Sequence, residues 1–316
     1  MAGLIFFKAV YLVAELPGKI LIIHPGALGD VSIVLSFVLK LRNKGHSVSL
    51  LTQSWLYDLK NVFPFVEAWE SIDSGKVSRL FADDFLPEEF GNLRRFNRIF
   101  AFFKRGAETL KRNLEAIGVP FVCESFIPPK NFNGHITEHL EKIFWVNPDW
   151  DLNWRNTDDI HNGTAVIHPG SGNRLKNWAL DRYLSLAKRL RNSGRTVLFI
   201  TGPAEAGMVS RIMESGHRVV DGAPLSEVVN ILTKAEFFIG NDSGLAHIAG
   251  FLGVNTLALF GPTTPRVWKP SGGRVHILYR PPHCSPCVGT MERIHCNENR
   301  CMNMIEVADV MAVLSV

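Results

Sequence analysis

The stretch Gly240-Asn241-Asp242-Ser243-Gly244-Leu245-Ala246-His247 decides the fold of this chain. The apolar residues 237–239 before it predict a short buried strand, while Asp242, Ser243 and Gly244 predict a turn and a helix N-cap. Beyond the turn, apolar residues recur with helical spacing at Leu245, Ile248, Ala249 and Leu252. Free N–H groups at such a helix start suit a phosphate or a ribose. Together with the loop Gly261-Pro262-Thr263-Thr264-Pro265, the stretch predicts one half of a nucleotide-binding pocket.

An internal repeat extends this pocket to a two-domain architecture. Ile22-Ile23-His24-Pro25-Gly26 is echoed by Val166-Ile167-His168-Pro169-Gly170. Each copy precedes a predicted helix, at residues 30–42 and 180–192, so both halves are predicted to be Rossmann-like α/β domains with parallel sheets. We assign residues 1–155 to the first domain and 156–316 to the second, with a polar linker near 154–163. Residues 305–314 predict a terminal helix that either stays with the second domain or packs back on the first.

Composition sets limits on function. With 316 residues, of which 46% are hydrophobic and 20% charged, the chain is able to bury two cores and is not disordered. A net charge of +4 is too small for this length to indicate nucleic-acid binding. No nucleic-acid partner is therefore predicted.

The amino terminus carries an apolar run, residues 3–14, which is broken by Lys8 and closed by Glu15. The run is too short to span a bilayer, and a small-residue cleavage site for a secretory signal is missing. We therefore expect a cytoplasmic chain. Its first segment is either an extra element packed on the first domain or a shallow contact with a membrane surface.

Several common enzyme classes are disfavoured. The first turn, Gly26-Ala27-Leu28-Gly29-Asp30, lacks the GxGxxG pattern, and the second strand ends at Thr52-Gln53 without the acidic residue of nicotinamide sites. No GxxxxGK[ST], HExxH or GxSxG pattern occurs, which argues against P-loop NTPases, zinc proteases and esterases.

A basic segment interleaved with aromatic residues lies between positions 94 and 112. Glu108 is its one acid, and its basic residues are Arg94, Arg95, Arg98, Lys104, Arg105, Lys111 and Arg112. The aromatic residues in and just before this segment are phenylalanines 90, 96, 100, 102 and 103. The segment is either a basic-faced helix that buries its aromatic side chains or a surface for an anionic, lipid-linked acceptor at a membrane.

Four motifs occur in a characteristic order along the chain: Gly26-x-Leu28-Gly29-Asp30, His168-Pro169-Gly170-Ser171 with Lys176-Asn177-Trp178, Asn241-Asp242-Ser243-Gly244-x-x-His247, and Phe260-Gly261-Pro262-Thr263. In this order they resemble glycosyltransferase family 9, the bacterial heptosyltransferases, from about Lys19 to the end of the chain. The resemblance implies a GT-B fold, in which two Rossmann-like domains face a cleft.

The same resemblance implies transfer of heptose, with inversion, from ADP-heptose to a lipid-linked, anionic acceptor, the inner core of lipopolysaccharide. The enzyme would then work on the inner face of the cytoplasmic membrane. Two alternatives stay open. The donor is another nucleotide sugar used in surface-polysaccharide assembly, or the chain is a catalytically silent module that binds nucleotide sugars or lipids.

Inverting transfer needs a general base for the acceptor hydroxyl and positive charge for the leaving diphosphate. Asp30 is the predicted base, in agreement with the proposed base of the family, and its alternative role is to cap its own helix. Lys176 matches the phosphate-contacting lysine of the family and is also assigned to catalysis, with a solvated loop lysine as the alternative.

The predicted donor site combines residues from both halves. His247 has a second interpretation as a cap or core histidine, Glu205 is the expected acceptor for ribose hydroxyls, and Trp178 is expected to pack rather than to stack on the base. No catalytic metal is predicted, because no DxD pattern occurs at a strand end. The residues assigned to donor binding are Gly29, Ser171, Gly172, Lys176, Glu205, Asp242, Ser243, Gly244, His247 and Thr263.

Four cysteines close the chain. Cys284 and Cys287 form a CxxC pair, and Cys296 and Cys301 follow, with His283 and His295 adjacent. The spacing is compatible with a structural zinc ion, although the second pair is wide. The alternative is a reduced, buried loop, since disulfides are not expected in the cytoplasm.

Overall fold

The computed structural model describes residues 16–103, 107–150, 163–287, 296 and 298–314. The prediction for the apolar amino terminus, that for the linker near 154–163 except Gly163, and the domain boundary placed between 155 and 156 lie outside these residues. By its contacts the chain divides into two compact units, residues 1–128 with 137–149, and residues 129–136 with 150–316.

The first unit is built around a five-stranded parallel sheet. Its strands are β1 Lys19–His24, β2 Ser47–Thr52, β3 Ala68–Ser71, β4 Arg98–Phe102 and β5 Phe121–Glu124. Its α-helices are α1 Leu28–Asn43, α2 Gly75–Ser78, α3 Glu108–Ile117 and α4 Ile136–Phe144, of which the residues from Thr137 onward belong to this unit. Its 3₁₀ segments are Ser54–Asn61, Arg79–Phe81 and Pro87–Arg95.

The strand order in this sheet is β3-β2-β1-β4-β5, and all pairs are parallel. Right-handed crossovers place β2 and β3 on one side of β1, and the chain then returns to place β4 and β5 on the other side. The order therefore reverses between β1 and β4, next to the His24-Pro25-Gly26 loop. A parallel sheet of this kind needs apolar strands, and residues 20–23 of β1 are all buried.

The second unit contains a six-stranded parallel sheet. Its strands are β6 Thr164–His168, β7 Thr196–Thr201, β8 Arg218–Asp221, β9 Phe237–Asn241, β10 Asn255–Phe260 and β11 Val275–Tyr279. Its α-helices are α5 Leu180–Asn192, α6 Val209–Glu214, α7 Leu225–Thr233, α8 Gly244–Phe251, α9 Pro265–Trp268, α10 Arg300–Asn303 and α11 Val307–Leu314. Its 3₁₀ segments are Arg174–Lys176 and Pro203–Met208.

The strand order of the second sheet is β11-β10-β9-β6-β7-β8. Counted from β6, this is the same doubly wound order as in the first sheet, with one further strand. The terminal helix α11 places Val310 and Leu314 in the core of this unit, beside residues of α5. The predicted fold class, two Rossmann-like α/β halves, is confirmed within each unit.

The basic segment 94–112 differs from the single helix considered from the sequence. Its described residues lie in the end of the 3₁₀ segment Pro87–Arg95, in strand β4, in helix α3 and in the connections between them. Arg98 is buried, with its guanidinium 4.7 Å from the centre of the Trp145 ring. Arg112 pairs with Asp83 and Lys111 with Glu108. The described part of this segment is thus partly core and partly ion-paired, which does not support one continuous basic face.

Within the described residues, no helix combines the length and the apolar character needed to cross a membrane.

Candidate functional site

The candidate site lies at the carboxyl edge of the second sheet. His168 ends β6, Asn241 ends β9, and these two strands are neighbours. The strand order reverses between them, which in doubly wound sheets is the point where ligands bind. Helix α8 starts directly after β9, so its free N–H groups face this edge.

Lys176 and Asp242 form the charged centre of the site. Lys176 Nζ lies 2.7 Å from Asp242 Oδ2, and the Thr263 hydroxyl donates to the same oxygen at 2.6 Å. Asp242 is buried, whereas Lys176 keeps about a quarter of its side chain exposed. A carboxylate cannot itself bind a diphosphate, because both are negatively charged. The arrangement therefore gives Asp242 the task of holding Lys176, and leaves the exposed part of the ammonium group to an anion.

His247 lies on the first turns of α8 and is buried. Burial lowers the pKa of its ring from 6.5 to about 4. The nearby Asp242 carboxylate raises it, and the charges of Lys176 and His135 lower it further. The ring is therefore neutral at pH 7 and offers one N–H donor rather than a positive charge.

Ser243 is the N-cap of α8, and its hydroxyl accepts the N–H of Ala246 at 3.4 Å. This confirms the N-cap predicted from the sequence. The same hydroxyl lies 3.5 Å from His168 Nδ1. The capped end leaves the other early N–H groups of α8, including that of Gly244, as donors for a ligand.

Glu205 follows β7 in the 3₁₀ segment Pro203–Met208 and is buried. Its carboxylate accepts the N–H of Gly202 at 3.0 Å and lies 3.7 Å from His168 Nε2, a distance at which the interaction is mainly Coulombic. Burial raises the pKa of Glu205, but His168 and the backbone N–H groups outweigh this effect and hold the pKa below its ordinary value. Glu205 is therefore an ionised acceptor at pH 7.

The loop after β6 is fixed by polar contacts between its own residues and the neighbouring segment. The Ser171 hydroxyl lies 2.6 Å from Asn177 Oδ1 and 2.8 Å from the Asn173 carbonyl oxygen. Asn173 in turn accepts the N–H of Leu175, which caps the 3₁₀ turn that carries Lys176. Gly172 is exposed beside these residues, with no atom near the position that a Cβ would take.

The predicted base and its neighbouring glycine belong to the first unit. Helix α1 has its N-cap at Ala27, so Gly29 and Asp30 are the second and third residues of the helix. The alternative role of Asp30 as the N-cap was therefore wrong, because the N-cap is Ala27 and Asp30 lies inside the first turn of the helix. The Asp30 carboxylate lies against Gly26, where an added Cβ would come within 2.6 Å of its Oδ2.

Three residues of the site were not assigned from the sequence. Asn241 and His168 occur within the recognised motifs, but nothing in the spacing shows that their side chains join separate loops. His135 lies far away in sequence, and its Nε2 approaches the Lys269 carbonyl oxygen at 2.9 Å. Trp178 packs as predicted, with its ring edge-on to Tyr183.

The cysteines do not form a metal site in the described structure. Cys301 is buried, Cys296 half-buried, and Cys284 and Cys287 exposed. Among the residues described, no three His, Cys, Asp or Glu side chains are arranged to hold a metal ion, and His295 lies outside these residues. The structural zinc ion considered from the spacing and the reduced, buried loop therefore both stay predictions.

Comparison with protein families gives a match over residues 146–297 to glycosyltransferase family 9 (heptosyltransferase). Lipopolysaccharide heptosyltransferase 1 of Pseudomonas aeruginosa is 32% identical to this chain over 118 residues. That similarity covers 36% of this chain and 33% of the relative, so the chain spans about a third of the length of the curated protein it matches.

Solved structures resemble the chain over nearly its full length. A family 9 glycosyltransferase from Veillonella parvula has a TM-score of 0.71 at 17% identity and covers 95% of this chain and 97% of its own. ADP-heptose lipopolysaccharide heptosyltransferase II from E. coli has a TM-score of 0.70 at 18% identity, with 94% and 97% covered. At these identities the likeness shows a common fold.

Proposed function

Because residues 146–297 of this chain belong to glycosyltransferase family 9, we propose that the protein transfers a sugar from a nucleotide-activated donor to a hydroxyl group of a saccharide acceptor. The observation that carries the proposal is the Lys176–Asp242–Thr263 cluster at the switch point of the second sheet. It combines a fixed cation with the start of α8, which is the combination that a diphosphate leaving group requires.

Donor binding uses the second unit. The diphosphate lies between Lys176 and the N–H groups of Ser171, Gly172, Ser243 and Gly244. The ionised Glu205 accepts the ribose hydroxyls, and the neutral His247 donates one hydrogen bond. We propose ADP-heptose as the donor. This choice is supported by the curated relatives, which are heptosyltransferases, and by the similar E. coli structure, an ADP-heptose lipopolysaccharide heptosyltransferase.

The chemical step uses Asp30 of the first unit. The acceptor oxygen attacks the anomeric carbon from the face opposite the nucleotide, so the configuration inverts. The new C–O bond forms while the bond to the diphosphate breaks, and the acceptor proton passes to Asp30. Lys176 and the helix start stabilise the charge that develops on the leaving diphosphate, so the step requires no metal ion.

The acceptor is proposed to be the inner core of lipopolysaccharide, a lipid-linked and anionic saccharide. The names of the curated relatives support this class. An acceptor of this kind brings the protein to the inner face of the cytoplasmic membrane as a peripheral enzyme. Sedimentation with vesicles that contain truncated lipopolysaccharide tests this location, and vesicles without it are the control.

The first experiment compares calorimetric binding of ADP, UDP, GDP and CMP to the purified protein. Preference for ADP agrees with an ADP-heptose donor, and preference for another nucleotide moves the donor to a different sugar. A protein that binds a nucleotide sugar but transfers the sugar neither to truncated lipopolysaccharide nor to another saccharide acceptor would be a silent binding module.

The second experiment replaces Asp30 by Asn. Transfer should fall by about 10²- to 10⁴-fold, the usual contribution of a general base, while nucleotide affinity stays unchanged. Asp83→Asn, at an exposed acid of the same unit, is the matched control. Lys176→Ala should instead weaken ADP binding but not the binding of adenosine, which lacks phosphates. Unchanged turnover of Asp30→Asn would overturn the assignment of the base.

A further inference from the structure

Asn241 is the last residue of β9, and its side chain is fully buried. All four hydrogen-bonding positions of its amide are used. Oδ1 accepts the backbone N–H of Trp178 and the hydroxyl of Tyr183, each at 2.9 Å. Nδ2 donates to the carbonyl oxygens of Pro169, at 2.9 Å, and Gly170, at 3.1 Å. A buried amide with every position paired is a strong local constraint on the backbone around it.

The direction of this amide follows from its partners. The N–H of Trp178 is able only to donate, and the two carbonyl oxygens are able only to accept. Burial raises the pKa of Tyr183 well above 10, so its hydroxyl keeps its proton and is able to donate to Oδ1. Exchanging oxygen and nitrogen in Asn241 would oppose like groups at the three contacts with Trp178, Pro169 and Gly170. The side chain therefore has one orientation, and no other residue type of this size supplies both two donated and two accepted bonds.

The two segments tied by Asn241 are the ones that carry the proposed donor contacts. Pro169 and Gly170 lead directly into Ser171 and Gly172. Trp178 comes two residues after Lys176 in the same short connection to α5. Asn241 itself precedes Asp242, which pairs with Lys176. One amide therefore sets the spacing between the loop after β6, the segment that bears the cation, and the start of α8.

We propose that Asn241 is a positioning residue for donor binding, which holds residues 169–172 and 176–178 at the spacing that a nucleotide diphosphate requires. The proposal rests on the function proposed above, because it assumes that this edge of the sheet binds a nucleotide. It assigns to Asn241 no contact with the substrate. Its effect passes through the backbone of the two segments and through Lys176.

The test compares Asn241→Asp with Tyr183→Phe. The aspartate has nearly the same shape and keeps the acceptor position, but it loses both donated bonds to residues 169 and 170. Phenylalanine at 183 removes one bond to the same amide and leaves both segments tied. We expect Asn241→Asp to weaken ADP binding by about tenfold or more and Tyr183→Phe by about twofold or less, because only the first leaves carbonyl groups unpaired.

Two further readouts distinguish a positioning role of Asn241 from a purely structural one. The thermal midpoint of each variant is measured first, and binding is then measured well below it, so that loss of folded protein does not count as loss of affinity. In the transfer assay the KM for the acceptor should stay within about twofold, since the acceptor side lies outside the segments that Asn241 holds. Equal ADP affinity of folded Asn241→Asp and wild type would overturn the proposal.

A measurement on the wild-type protein covers the case in which Asn241→Asp fails to fold. Hydrogen exchange of the backbone amides in 170–172 and 176–178 should slow together when ADP saturates the protein, since one side chain links the two segments. Protection of one segment without the other would contradict the proposal. If wild type binds none of the four nucleotides, the proposed function fails instead.

Discussion

Gly26 and Gly170 occupy equivalent places in the two halves of the chain, and each lies against a carboxylate. A Cβ at Gly170 would overlap Glu205 Oε1, and one at Gly26 would overlap His24 and come within 2.6 Å of Asp30 Oδ2. At both positions a Cβ would have to displace a neighbouring side chain, which favours glycine there. The acid held in this way is the proposed base in the first unit and the proposed ribose acceptor in the second.

Gly170→Ala tests this packing. The added methyl group must displace Glu205, so we expect a loss of about 1–3 kcal/mol in the free energy of unfolding, measured by denaturant titration. Gly170→Ala combined with Glu205→Ala should recover part of that loss, because the overlapping carboxylate is gone. Strict additivity of the two substitutions would show that the methyl group and the carboxylate do not meet.

Residue roles were predicted less well than residue positions. The motifs identified Lys176, Asp242, Ser243, His247 and Thr263, and the structure brings these five side chains to one edge of the second sheet. It was not predictable that Asp242 holds Lys176 or that His247 is neutral. Both depend on burial and on distances between residues that are far apart in sequence, which spacing along the chain does not encode.

At the scale of elements, the regular repeats were the most predictable part of the chain. Helix α5 has the predicted bounds, and a strand precedes each Pro-Gly loop, β1 in the first unit and β6 in the second. The spacing of apolar residues is enough to predict these elements. The helix buries one face, and the two strands bury nearly all their side chains. The described part of segment 94–112 is not a single helix. Two of its phenylalanines, Phe100 and Phe102, belong to the buried strand β4 and do not lie on one face of a helix.

The cysteine segment gives a prediction at the same scale. Cys301 lies against Gly261, and the N–H of Cys287 donates to the Pro262 carbonyl oxygen at 3.1 Å. Protein contacts thus hold both residues beside the loop that carries Thr263. Burial raises the pKa of the Cys287 and Cys301 thiols, and neighbouring cysteines raise it further. In the absence of a metal ion, both thiols therefore favour their protonated form.

We expect protein purified without chelator to contain less than stoichiometric zinc or iron by elemental analysis. A Cys284→Ser and Cys287→Ser double variant should keep the metal content and thermal midpoint of the wild type. One equivalent of metal per wild-type chain, absent from the double variant, would contradict this expectation. It would instead support a structural metal ion bound by these cysteines.

For the whole molecule, acid should reduce stability through the buried histidines. His247 has a pKa of about 4 when folded and an ordinary value of 6.5, so the unfolded chain binds a proton that the folded chain does not. Stability from this source is complete above pH 6.5 and is lost as the pH falls from 6.5 towards 4, by up to about 3 kcal/mol. Burial and Arg191 also lower the pKa of His217, which acts in the same direction.

Thermal midpoints measured between pH 7 and pH 5 test this effect. In this range the carboxylates, with ordinary values near 4, contribute little to the slope. His247→Asn should lower the midpoint at pH 7 and flatten its dependence on pH. His276→Asn, at an exposed histidine, is the control and should keep the slope of the wild type. An unchanged slope in His247→Asn would exclude this source of acid sensitivity.

The fold class was predictable for both units, and the family for residues 146–297, because several independent signals agreed. The internal repeat predicted two α/β halves, and the order of four motifs indicated glycosyltransferase family 9, which the match over residues 146–297 confirms. The choice of acceptor was not predictable, since the first unit has no motif between residues 54 and 153 that specifies it. Surface shape and charge decide such recognition, and neither follows from local sequence.

The paired glycines also constrain how this chain is able to vary. A gene library randomised at codons 26 and 170 should return glycine at both under selection for a working enzyme, although neither residue has a side chain to offer a substrate. The neighbouring acids differ in origin, since Asp30 comes from the helix after the loop and Glu205 from a different crossover. If the two halves descend from one duplicated gene, the glycine after each His-Pro pair was retained in both. The position of the acid beside it changed, and with it the role of that acid.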